Sequence, residues 1–221
     1  MKTKLNLITK RLKDERTKKI LIVSHCILNE NTRYLGGAFC SGINPDILKE
    51  LSIKNCGIVQ LPCPEQIAWG GVLKKLIWLP VDTKGKLINY LIRLIYPFFI
   101  WYTYFIYHRI ALKTVRLIED YLKSDFEVIG IVGIDGSPTC GVSISLNMYK
   151  LFEYHSELSI ESLDRVDYNN NLYNRCSQNG KGIFIKQLNK LLTKRRINIK
   201  LYSLSLQDEK ENKSVSLGIE D

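Results

Sequence analysis

The sequence predicts an α/β fold, built on an open and mostly parallel sheet with helices on both faces. Three observations predict it. Ile- and Val-rich runs recur at Lys19–Ile27, Asn55–Pro64 and Phe126–Asp135, and they lack the polar alternation of a sheet wetted on one side. Each run ends in turn-forming residues. Segments with apolar residues at helical spacing lie between and after them.

The elements follow in order. The first 18 residues form a basic arm in which Lys2, Lys4, Lys10, Arg11, Lys13, Arg16 and Lys18 face only Asp14 and Glu15, and it carries much of the net charge of +10. This arm reads as a solvated leader, with contact to nucleic acid or an anionic membrane as the alternative; no specific nucleic-acid binding is predicted. Strand one is KILIVSHCI, Lys19–Ile27. Asn44-Pro45-Asp46, followed by Ile47, Leu48 and Leu51, is a capped helix start. Strand two is Asn55–Pro64 and strand three Phe126–Asp135. Gly182–Leu192 is an amphipathic helix, and Ile197–Leu204 supplies a fourth strand. Alternating strands and helices imply a Rossmann-like three-layer arrangement. Residues 19–205 are expected to form one domain, and 206–221 a polar, poorly ordered tail.

One segment breaks the pattern. An aromatic-rich helical insertion is expected over about residues 75–122. Its centre, Leu87–Leu112, is interrupted by Arg93 and Pro97, and the uncharged part, Leu94–Tyr107, is shorter than the roughly 20 residues that span a bilayer. The segment reads as a helix pair covering the site, a homo-oligomer face, or a membrane-surface contact. Its end, Ile110–Leu122, is amphipathic, with Lys113, Arg116, Glu119 and Asp120 opposite the apolar face.

Composition bounds the chemistry. Hydrophobic residues make up 45% and charged residues 24%, which excludes overall disorder. The first apolar run, Leu5–Ile8, is too short for a secretory signal, so the expected location is cytoplasmic, with peripheral membrane attachment if the insertion makes it. In a reducing compartment six cysteines point to metal binding or catalysis before disulfides. Neither a P-loop nor a dinucleotide fingerprint stands at a strand end.

In open α/β sheets ligands bind outside the carboxyl ends of the strands. Cys26, Cys63 and Cys140 all fall at or just after such ends, so the fold is expected to bring three distant thiols to one crevice. Cys40, Cys56 and Cys176 read as small buried hydrophobes. His25, next to Cys26, is expected on the opposite face of the sheet. Asp135 is open between acid, cap and spectator.

Three segments carry a resemblance. SHCILNENTRYLGG (Ser24–Gly37), PCPEQIAWGG (Pro62–Gly71) and GSPTCG (Gly136–Gly141) resemble, in order, the signature motifs of the DUF523 family, which includes the thiouracil desulfurases. The resemblance implies a 4Fe–4S cluster held by Cys26, Cys63 and Cys140, with one iron left without a protein ligand. It also implies desulfidase activity on a small thiolated substrate, the alternative being a non-catalytic metal-binding or redox module in which the same cysteines hold zinc.

By the same resemblance Glu65 is the proton-transfer residue, the alternative being a turn cap, and Ser137 a hydrogen-bond donor to substrate or cluster, the alternative being a turn residue. Arg33 and Tyr34 orient the first loop or bind an anionic substrate group, with a surface salt bridge as the competing role for Arg33. Gly70 and Gly71 permit close approach to the ligand. The chain departs from the pattern at Thr32, where many members carry a second cysteine, at Leu35, where Asp is usual, and at Thr139 in place of Ser.

Overall fold

The computed structural model describes residues 2–211, 213 and 215–219 of the 221. Helix α1 (Lys2–Arg11) precedes strand β1 (Lys19–Val23), and α2 (Pro45–Ile53) leads to β2 (Gly57–Gln60). The short α3 (Pro64–Ala68) and the long α4 (Leu87–Lys123) lead to β3 (Glu127–Asp135). Then follow β4 (Ile144–Leu146), α5 (Met148–Glu157), α6 (Arg165–Cys176), β5 (Ser177–Asn179), α7 (Ile183–Lys194), β6 (Leu201–Ser205) and α8 (Leu206–Lys210). Four strands form one parallel sheet in the order β2-β1-β3-β6. This is the three-layer α/β arrangement the sequence predicts. The two-stranded antiparallel ribbon β4–β5 was not foreseen, because three residues per strand carry no periodic signal.

Alternation along the strands divides the core. Ile20 and Ile22 of β1 and Ile131 of β3 face one side, where α4 and α7 contribute Ala111, Val115, Ile118, Phe184 and Leu188. Leu21 and Val23 face the other, with Val132, Ile134, Ile47 and Leu51. Asn44 caps α2 by accepting from Asp46 N at 2.9 Å, and Pro45 opens the first turn where its missing N–H costs nothing.

Three expectations need correction. Strand one stops at Val23, and His25–Ile27 is a single 3-10 turn. The ladder is completed around it by Ser24 N to Val132 O and Leu61 N to Val23 O, at 3.0 and 2.9 Å. The interrupted insertion is instead one continuous helix, α4, running through Pro97. Buried Asn89, Thr103, Tyr107, Ile110 and Thr114 share one helical face on both sides of the proline, so packing on the domain holds the phase across the single missing bond.

The tail is also not loose. Val215, Leu217 and Ile219 are buried against the α2 side of the sheet, where Leu217 N donates to Glu50 Oε2 at 2.8 Å and Lys54 Nζ to Ile219 O at 2.6 Å. Its residues 212, 214, 220 and 221 lie outside the described residues. Alternate apolar residues, invisible within a polar composition, carry this packing.

Candidate metal and catalytic site

In the order β2-β1-β3-β6 the chain leaves β1 toward one edge and β3 toward the other, so a crevice opens between their carboxyl ends. Cys26 stands in the turn after β1, Cys63 after β2 and Cys140 in the loop after β3. All three line one cavity, with Arg33, Tyr34, Glu65, Trp69, Lys74 and Ser137 among its other walls.

The Cys140 loop is built by close backbone approach. A Cβ on Gly133 would sit 2.3 Å from Cys140 O, and one on Gly182 2.5 Å from Thr139 O. Glycine at both places lets the loop lie between β3 and the start of α7. There Ile183 N donates to Pro138 O and Phe184 N to Thr139 O. Inside the loop Ser137 Oγ accepts from the N–H groups of Thr139 and Cys140 at 3.2 and 3.0 Å. The open role of Asp135 is settled by its Oδ1, which accepts from the N–H groups of Val142, Ser143 and Ile144 and so ties down the loop beyond.

Burial acts on all three thiols, and their charges act on one another. The Cys26 thiol is pushed up to about 11, first by burial, with Arg33 opposing and Glu65 adding to the shift. Cys63 is pushed up to about 12 by burial, then by Glu65 and Cys26. Cys140 rises well above the usual thiol range by burial, then by Cys26 and Glu65. Three thiolates cannot share this pocket without a compensating positive core.

The Ser24 hydroxyl lies against the Cys140 thiol, whose rise it opposes, and its buried oxygen has no other partner among the described residues. Among those residues no group of three His, Cys, Asp or Glu is arranged to hold a metal ion.

Glu65 sits in the first turn of α3, where Cys63 is the N-cap and its Sγ accepts from Gln66 N at 3.4 Å. Glu65 Oε1 accepts from Ser137 Oγ at 3.3 Å, and Oε2 is 3.7 Å from Lys74 Nζ. Both residues predicted to be catalytic therefore meet beside the thiols.

Of the predicted substrate residues, Arg33 and Tyr34 line the cavity. Arg33 is no surface bridge: it is 6% exposed and lies 3.0 Å from Glu30 and 2.7 Å from Glu209. Tyr34 donates to Asn169 Oδ1 at 2.6 Å, and burial pushes its phenol up to about 12.

Gly70 and Gly71 do not reach the cavity. Both are exposed with φ of +87°, and their turn reverses the chain so that Lys74 can enter. His25 departs from the expected opposite face. It lines the cavity because the strand ends before it, with Nδ1 3.0 Å from Leu61 O. Leu35 is exposed and stands clear of the cavity, so the missing Asp at that position leaves its walls intact. Thr32 does line it, and Thr139 Oγ1 bonds the Tyr107 hydroxyl at 2.9 Å. Cys176 is fully buried in the core, while Cys40 and Cys56 are half-buried thiols.

Sequence reading missed several contributors. Lys74 is 1% exposed, its backbone is left-handed at φ 52°, and Nζ donates to Thr32 O; no local motif announces a buried lysine. Tyr107 and Thr103 of α4 support the site from behind, with Trp69 Nε1 donating to Thr103 Oγ1 at 3.1 Å. Polar residues four apart in an apolar stretch were the available signal. Glu30, three residues before Arg33, offered the same kind of hint. Glu209, in a tail of polar composition, offered none.

An uncharacterized protein of Methanocaldococcus jannaschii is 28% identical to this chain over 183 residues, covering 79% of this chain and 97% of the relative. No family model matches the chain, and no solved structure matches it.

Proposed function

We propose that the chain is a desulfidase that holds a 4Fe–4S cluster on Cys26, Cys63 and Cys140 and removes sulfur from a small thiolated compound. When bound, such a cluster supplies a Lewis-acidic iron with affinity for sulfur. The chain's own residues supply the rest. The Glu65 carboxylate takes a proton from the water that attacks the C–S carbon, and returns it to the departing sulfur. Thiocarbonyl and water thus become carbonyl and hydrogen sulfide, with no net oxidation. Ser137 and Lys74 hold the carboxylate in place from two sides. Arg33, clamped by two carboxylates, fixes the loop that follows Cys26. Trp69 and Tyr168 narrow the cavity and limit bulk water.

One observation carries this reading: a half-buried acid, Glu65, with a hydroxyl and an ammonium beside it, lines the same cavity as the three thiols. A purely structural metal site has no use for such a group. The test is sulfide release from small thioamides and thiolated bases by anaerobically reconstituted protein, compared with Glu65→Gln. The variant is expected to keep its iron and lose about 100-fold or more in rate. Equal rates would remove Glu65 from the chemistry, and no sulfide from any wild-type preparation that carries iron would defeat the function.

Reconstitution has its own signature. Ligation must displace protons from thiols held above their usual range, so loading is expected to speed up between about pH 7 and about pH 9 and to release protons. A rate flat with pH would contradict the thiol environment described above.

A further inference from the structure

The outer face of α4 changes character along its length. Leu87, Leu91, Leu94, Phe98 and Phe105 recur at helical spacing along one line, and each is 49% exposed or more. By helical phase Tyr90, Trp101 and Tyr104 lie to one side of that line and Tyr102 to the other; all four are exposed. Arg93, the one charged residue in this part of the helix, sits off the line and pairs with Glu153. One turn beyond Phe105 the same face becomes cationic, with exposed Arg109, Lys113 and Arg116. Arg109 lies over the Phe105 ring at 5.8 Å.

We propose that this face docks the protein on an anionic lipid surface. A hydrocarbon line flanked by tyrosine and tryptophan is the arrangement of a helix lying in the membrane interface, where amphipathic rings sit at headgroup level. A second helix would instead be met by charged flanks, as in a coiled coil. From Leu87 to Ile118 α4 carries no carboxylate; of the two that follow, Glu119 is paired with Arg195 and Asp120 stands at the far end of the cationic stretch, so the face is cationic on balance and negative lipid is its electrostatic complement. Among the described residues no helix is long and apolar enough to cross a membrane, which leaves contact in the plane of the surface.

A neighbouring groove lies on the inner flank of α4, against α5. It has a volume of about 270 Å³ and is walled by Leu76, Leu79, Ile95 and other apolar groups, and it shares Ile77 and Leu151 with the thiol cavity.

The test is co-sedimentation of the full chain with phosphatidylcholine vesicles, with and without phosphatidylglycerol. Binding is expected only with the anionic lipid, weakened by salt, and at least about tenfold weaker in Leu94→Glu/Phe98→Glu. Those side chains are 72% and 71% exposed, so circular dichroism should show an unchanged fold. Three results would overturn the proposal: no vesicle binding, binding lost only in Lys10→Glu/Lys13→Glu of the basic arm, or a stable dimer in sedimentation equilibrium that Leu94→Glu/Phe98→Glu converts to monomer.

Discussion

Two cations are buried in the walls of the same cavity, and they are held in opposite ways. Arg33 lies between Glu30 and Glu209. Glu30 also accepts from the N–H groups of Phe39 and Cys40, and Glu209 from the α2 cap Asn44 at 3.3 Å. The cluster thus joins the loop after Cys26, α2 and α8 into one closed unit. Lys74 has a backbone carbonyl and a carboxylate 3.7 Å away that also serves Ser137. The Arg33 side is built to stay shut. On the Lys74 side the carboxylate is partly exposed and within reach of a ligand, which is where chemistry can be done.

The largest expected effect lies on the closed side. Arg33→Met would leave Glu30 and Glu209 facing each other without a cation and should cost about 3–5 kcal/mol in chemical denaturation; a loss under about 1 kcal/mol would break the contrast. His155 should come next. It is fully buried, with Nδ1 2.7 Å from Ile77 O and Nε2 3.0 Å from the Tyr168 hydroxyl, and so props two residues of the cavity wall. Burial holds it down at about 4. A histidine held below its unfolded value stabilises the fold fully above about pH 6.5 and loses that contribution as pH falls toward 4, here about 3 kcal/mol. Stability measured by denaturation at both ends of that window should differ accordingly, and His155→Gln should flatten the slope.

Lys74→Met is expected to change stability least, by on the order of 1 kcal/mol, because Glu65 keeps Ser137 and is partly exposed. Its rate of sulfide release should nonetheless fall well below that of wild type. A variant as destabilised as Arg33→Met with full activity would reverse the assignment of the two walls.

How much of this was legible follows from where the information sits. Strands rich in Ile and Val and the Asn44-Pro45 cap announce themselves locally, and with them the sheet and the three cysteines at its carboxyl ends. Glu65 and Ser137 were legible one by one, in motifs that stand next to those cysteines, whereas their contact with each other depends on the fold. Lys74 and Glu209 were not legible, because a left-handed residue after a glycine turn and a carboxylate far along the chain acquire meaning only when the fold brings them to the cavity. The length of α4 was misread for a related reason. Pro97 is a local signal of interruption, whereas the packing of Thr103, Tyr107 and Ile110 that overrides it is tertiary.

The central proposal is that three thiols from separate strand ends, Cys63 and Cys140 buried and Cys26 half-buried, grip one iron–sulfur core. Iron and acid-labile sulfide analysis of anaerobically reconstituted protein, beside Cys63→Ser, tests it most directly. The account predicts about four irons and about four sulfides per chain in the wild type, with broad absorbance near roughly 400 nm, and loss of both in the variant. A colourless wild-type protein, or equal loading of the variant, would contradict it.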